Sequence, residues 1–170
     1  MLPPLPYDVT ALEPLLDAET VLLHHSRHHA AYVAGANAAA DMMRQIAEGN
    51  MPETLAATAA GNLAFNLAGH MLHTLYWGNL SPVPCEGPRG ELADAINTAF
   101  GSYSGFVRLF RSVALGVRGS GWAVLASCWP PNATKMRCYP ACGPCLSAMC
   151  GSMLIISAIT TIALVMWMRS

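Results

Sequence analysis

Four of the six histidines stand within six positions, in the stretch His24-His25-Ser26-Arg27-His28-His29-Ala30-Ala31-Tyr32-Val33. At 3.6 residues per turn, His24, His28 and Tyr32 are spaced i, i+4, i+8 and share one face of a helix. Two imidazoles and a phenol then line up, able to hold a metal at one end with proton donors behind it. A histidine pair on one helix is more often a satisfied surface or core feature than a ligand. A second cluster strengthens the metal reading: Gly69-His70-Met71-Leu72-His73-Thr74-Leu75-Tyr76-Trp77 carries the other two histidines at i, i+3 on an apolar, aromatic-rich run. Two such helices packed antiparallel converge their imidazoles on one ion.

The surrounding pattern supplies both helices. Pro3, Pro4 and Pro6 hold an extended arm leading to Tyr7, and Asp17 caps a helix whose next turn contains Glu19 and Thr20. The helix is predicted from about Ala18 to about Glu48, bent near Gly35. Gly49-Asn50-Met51-Pro52 turns the chain, and an alanine-rich helix from about Glu53 to Trp77 follows. Together these read as a long antiparallel α-hairpin over residues 1–80. Ser81 to Pro88 is a proline- and glycine-rich linker, after which the pattern changes. Glu91 to Phe100 reads as a short amphipathic helix, Gly101-Ser102 as a break and cap, and Phe106 to Val117 as another helix. Trp122 to Ala126 is an apolar run of strand character.

Charge and cysteine are unevenly spread. All ten acidic residues lie at or before Asp94, and all six histidines at or before His73, while six of the nine basic residues follow Asp94. The first 84 residues contain no cysteine, which suits a reducing cytoplasm, and the N-terminus lacks the basic, apolar region of a secretory signal. Five of the six cysteines fall between Cys128 and Cys150. Cys142-Gly143-Pro144-Cys145 matches a redox dithiol by spelling, without the strand and helix that such a motif requires. A four-thiolate zinc site from Cys138, Cys142, Cys145 and Cys150 has the wrong spacing for two knuckles. Met153 to Met168 is an uncharged apolar run at the short end for a membrane span of about 20 residues.

Four motifs, in order and spacing, carry a resemblance: LPPLPYDVTALEPLLDAETVLLHHSRHHAAYV, NLAFNLAGHMLHTLYWGNLSP, GELADAINTAFGSYSGF and GSGWAVLA. Over about residues 2–126 the chain resembles the iron/manganese superoxide dismutases. The resemblance implies an α+β fold: the N-terminal α-hairpin, then a truncated α/β C-terminal domain over 89–126, in which Trp122 to Ala126 is the first of three antiparallel strands. It implies superoxide as substrate, hydrogen peroxide and oxygen as products, and one manganese or iron ion per chain. Zinc lacks the second oxidation state that the family's reaction uses. His24 and His73 match metal ligands. His28 and Tyr32 match the pair that relays protons at the mouth of the substrate funnel, and Trp77 and Trp122 match aromatic walls of the metal pocket. His25, His29 and His70 read as structural. Gly69 fits the manganese-type or metal-tolerant pattern, because many iron-specific members have glutamine there. Leu72 stands where the family usually has asparagine.

The family completes its site with an aspartate and a histidine from a C-terminal DxWEH motif, yet no Asp, Glu or His follows Asp94. The chain therefore supplies two of four protein ligands, and activity is expected to be defective. The glutamate that contacts the partner subunit in the family's homodimer is absent as well. The tail over 127–170 reads as out of frame. Ala148 to Met153 can be encoded by GCG ATG TGT GGG AGC ATG, and starting each codon one nucleotide earlier gives GAT GTG TGG GAG CAT, Asp-Val-Trp-Glu-His. The same displacement continues the family pattern through Met168, and the single codons of Met and Trp restrict the freedom of the match. The alternative reading is a noncatalytic helical scaffold with a C-terminal membrane anchor. No nucleic-acid partner is expected, and a membrane only in that alternative.

Overall fold

A computed structural model describes residues 1–83, 87–117 and 121–125, together with the backbone of 126–127, 136–141, 153–154 and 158–159. Two compact units are present, Met1–Trp77 and Gly78–Ser170.

The first unit is built on α1 (Ala18–Leu23), a π-helical segment (His24–His29), α2 (Ala30–Ala47), a 3₁₀ turn (Glu53–Leu55) and α3 (Ala56–Asn79). Asp17 starts α1: one carboxylate oxygen accepts the Thr20 N–H at 2.8 Å and the other the Thr20 hydroxyl at 2.9 Å. These bonds hold the carboxyl below its ordinary range, the Thr20 backbone bond being the larger cause. The expected single helix is thus one continuous run, with a π-helical irregularity at His24–His29. In a π-turn an extra residue is accommodated without breaking the helix, and such turns recur at functional sites. Gly35 has a different duty, since a Cβ there would collide with the side-chain amide of Asn66 on α3. Gly49, at φ +76°, supplies the left-handed step that ends the first helical run.

Contacts between the two long arms run in opposite directions along the chain. Gly35 meets Asn66, Tyr32 meets Gly69, His28 meets His73 and His25 meets Trp77. An antiparallel hairpin is the only arrangement with that order. The N-terminal arm is pinned to it, because the Nε2–H of buried His25 donates to the Pro3 carbonyl at 2.8 Å. Val21, Val33, Ala36, Ala59, Leu72, Tyr76 and Trp77 are buried, and so are Leu12 and Leu16 before the first helix.

In the second unit, α4 (Glu91–Phe100) ends at Gly101, whose φ of +78° only glycine adopts without strain. Ser102 caps α5 (Tyr103–Leu115) by accepting the Gly105 N–H at 3.0 Å, so this helix starts three residues before the expected Phe106. Strand β1 (Gly121–Ser127) is central, pairing antiparallel with β2 (Met136–Ala141), β3 (Met153–Leu154) and β4 (Ala158–Ile159). Leu125 pairs with Cys138 on one edge and Leu154 on the other. The partner strands that the sequence reading did not recognise are therefore present. Ile96, Phe106, Phe110, Ala114, Ala123 and Leu125 form one core, with Phe100 and Phe110 rings about Phe106 at 5.2 and 5.4 Å.

Among the described residues no helix is long and apolar enough to cross a membrane. Within the apolar run from Met153 to Met168, the described residues are strands paired with β1, and the rest of the run lies outside the described residues. Cys142 to Cys150, with the Cys142–Cys145 dithiol spelling, also lies outside them.

Candidate metal centre

The π-helical segment divides its four histidines by surroundings. His25 and His29 are buried, whereas His24 is half-buried and His28 exposed. Across the hairpin, α3 presents fully buried His73. His24, His28 and His73 each bring one ring nitrogen to a cluster whose nitrogens lie within 4.8 Å of one another, the sole such group of histidine, cysteine, aspartate or glutamate among the described residues. The ring of His73 stands edge-on to His24 at 5.0 Å and tilted to His28 at 5.1 Å. Tyr32 lies beside both histidines, 5.1 Å from the His73 ring and 5.2 Å from that of His28.

The orientation of His73 has an identifiable cause. Its Nδ1 lies 2.7 Å from the carbonyl oxygen of Gly69, which accepts only, so Nδ1 carries the hydrogen and Nε2 the lone pair. The same residue makes room for Tyr32, because a Cβ on Gly69 would strike the Tyr32 ring. Behind the cluster, the Trp77 indole donates to His29 Nδ1 at 3.2 Å, and His29 Nε2 meets His70 Nδ1 at 2.8 Å. Since the indole is only a donor, His29 carries its hydrogen on Nε2 and hands it to His70. His29 also stacks on His73 at 5.2 Å, with the planes 18° apart.

These rings are held neutral. Burial, then the neighbouring His73 and His28, lowers the His24 pKa to about 3. Burial lowers His73 to about 4 against the opposing pull of the Gly69 carbonyl, and burial followed by His73 and His70 lowers His29 to about 4. Neutral imidazole is the form that ligates a metal. The aromatic wall is likewise dry. Trp77 is buried 5.0 Å from the His24 ring, and Tyr76, 5.4 Å from it, has its phenol pushed up to about 12 by burial. Tyr76 was not anticipated as part of the site, although its i+3 spacing from His73 is a readable signal. Tyr7 also rises to about 12, by burial and then by Tyr76, and its hydroxyl is buried with no hydrogen-bond partner among the described residues.

The structure thus brings His24, His28, His73, Tyr32 and Trp77 together in the first unit. Trp122 lies in the second, half-buried on β1. His28, anticipated as a proton-relaying neighbour, contributes a nitrogen to the cluster itself.

An α-hairpin with converging imidazoles, followed by an α/β unit, defines a helical-hairpin metalloprotein class. The family model for iron/manganese superoxide dismutases, α-hairpin domain, matches residues 1–81, and that for their C-terminal domain matches residues 88–141. The chain belongs to the iron/manganese superoxide dismutase family. The C-terminal match runs past Ala126, where the recognisable motifs end. Similar proteins include the superoxide dismutase (Mn) of Nocardia asteroides, 48% identical over 124 residues, covering 73% of this chain and 59% of the relative. The superoxide dismutase (Fe) of Mycobacterium tuberculosis is 48% identical over 140 residues, 81% of this chain and 65% of the relative. That of Pyrobaculum aerophilum, also (Fe), is 44% identical over 127 residues, 73% and 59% respectively. The matches therefore span about three fifths of the relatives' length.

Proposed function

We propose that this chain is a superoxide dismutase by descent, cytoplasmic, that retains half of a manganese or iron site and is catalytically defective as written. One observation carries the reading: neutral His24 and His73 face each other across a hairpin that matches the family. In this reading both are metal ligands. His28 and Tyr32 hold and pass protons beside them, and Trp77 and Trp122 are pocket walls. The metal, when bound, supplies the one-electron exchange with superoxide. The residues present fit such an ion incompletely, since every cluster member is an imidazole and residues 95–170 hold no carboxylate side chain to offset the ion's charge. With the family's subunit-contacting glutamate missing too, the homodimer is not expected.

The missing ligands have a genetic explanation in this reading: the coding frame is displaced by Ala148 at the latest, so that the Asp-Val-Trp-Glu-His codons are translated as Met149 to Met153. Residues 1–80 form the hairpin domain and the α/β domain begins at 89, while the aberrant part lies toward residue 170. Two measurements test this. The DNA is expected to show DxWEH in the displaced frame near Met149, and a gene with the frame restored is expected to give a manganese or iron protein with dismutase activity. Absence of that motif overturns the frameshift, and family-level turnover by the chain as written overturns the defect.

A further inference from the structure

We propose that His24, His28 and His73 form a self-contained three-imidazole site in the first unit that selects zinc-class divalent ions, zinc(II) and cobalt(II), over manganese and iron. The inference rests on the reading of His24 and His73 as metal ligands and departs from it at His28 and at the metal. The nitrogens converge, but among the described residues no carboxylate, the donor that suits manganese, joins the cluster.

Two histidines at i, i+4 on one helix and a third from a facing helix are enough for a tetrahedral zinc site whose fourth position is water. His24 and His28 flank one turn of the π-helical segment, and His73 comes from α3. The Gly69 carbonyl fixes the His73 tautomer and ring plane, the outer contact by which histidine ligands are commonly oriented. Nitrogens on one tetrahedral zinc at about 2.0–2.1 Å stand about 3.3 Å apart. The separations of up to 4.8 Å therefore need to close by roughly 1.5 Å at most, within the reach of a rotation of half-exposed His24 and exposed His28 about a fixed His73. An all-imidazole set also ranks the ions: affinity rises from manganese through iron to cobalt, and zinc stands well above manganese. Losing its carboxylate thus costs the site its family metal more than it costs zinc.

The test is titration of the full 170-residue chain with cobalt(II), followed by competition with zinc(II) and with manganese(II). Expected is one cobalt per chain with the visible absorption of a four-coordinate nitrogen and oxygen site, displaced by zinc and not by manganese in large excess. His24→Gln, His28→Gln and His73→Gln should each weaken cobalt binding by more than about 100-fold, the upper effect of losing an outer-shell partner. Far-UV circular dichroism separates loss of a ligand from loss of the helix. X-ray absorption of the zinc-loaded, unsubstituted chain should count three imidazoles, a readout independent of any variant. Undiminished binding by His28→Gln, or two imidazoles on zinc, overturns the three-histidine site while leaving His24 and His73 as the family pair. Cobalt–thiolate charge-transfer absorption assigns the ion to the cysteines instead, preference for manganese overturns the selectivity, and no binding overturns the site. None of these bears on dismutation by the frame-restored protein, which is measured separately.

Discussion

Gly69 shows how one missing side chain organises the hairpin. Its bare Cα admits the Tyr32 ring while its carbonyl orients His73, so both sides of the candidate site depend on it. Gly69→Ala is expected to lower stability by about 1–3 kcal/mol, the ordinary cost of overpacking, because an aromatic ring wedged between helices has little room to shift. Gly35→Ala should cost less, since the obstacle there is the terminal amide of Asn66, which can rotate away. Thermal denaturation of the two variants side by side checks the order. Tyr7→Phe removes a buried hydroxyl without a partner and should leave stability unchanged or raise it by up to about 1 kcal/mol, read from urea unfolding. The buried histidines set a pH window. Their folded pKa values, about 3 for His24 and about 4 for His29 and His73, lie below the unfolded value of 6.5, so the unfolded chain binds more protons between them. Their contribution is fully present above about pH 6.5 and is lost as the pH falls toward 4, on the order of 3 kcal/mol for fully buried His29. Urea midpoints of the metal-free chain at pH 7.5 and pH 5 should differ accordingly, with roughly the higher midpoint at neutral pH.

At the scale of elements, caps were legible and internal irregularities were not. Asp17 and Ser102 are short polar residues at helix starts, and each accepts the N–H that its position predicts. Ser102→Ala should destabilise the second unit by about 1 kcal/mol, visible as a lower thermal midpoint. The π-helical segment escaped the pattern because an i, i+4, i+8 face looks the same whether the turn holds an extra residue or not. Only the backbone hydrogen bonds distinguish the two. Gly35 was read as a place for a bend, and its bare Cα answers the close approach of Asn66. Strand β1 was readable from its apolar run. Its partners were not, since strand pairing is a long-range choice that Met136 to Ala141 does not advertise by alternation.

For the whole molecule, the hairpin, the break near residue 80 and the α/β unit were legible in periodicity, in proline and glycine, and in four motifs. Helical geometry placed His24, His28 and Tyr32 on one face, whereas the choice of His24 and His73 as ligand candidates followed from resemblance. Under the proposed frame displacement, a gene with the frame restored should give a protein whose thermal midpoint rises with manganese, since an ion bound only by the folded state stabilises it by mass action, whereas manganese should leave the present chain unmoved. Sequence by itself determined which residues lie on each helix face, and that residues 95–170 contain no acid and no histidine. Tertiary structure alone decided that His28 joins His24 and His73, that His29 lies behind them between Trp77 and His70, and that Gly69 faces Tyr32. The physical reason is that periodicity sets directions within one helix, whereas the register between two helices is a packing outcome of all their side chains together.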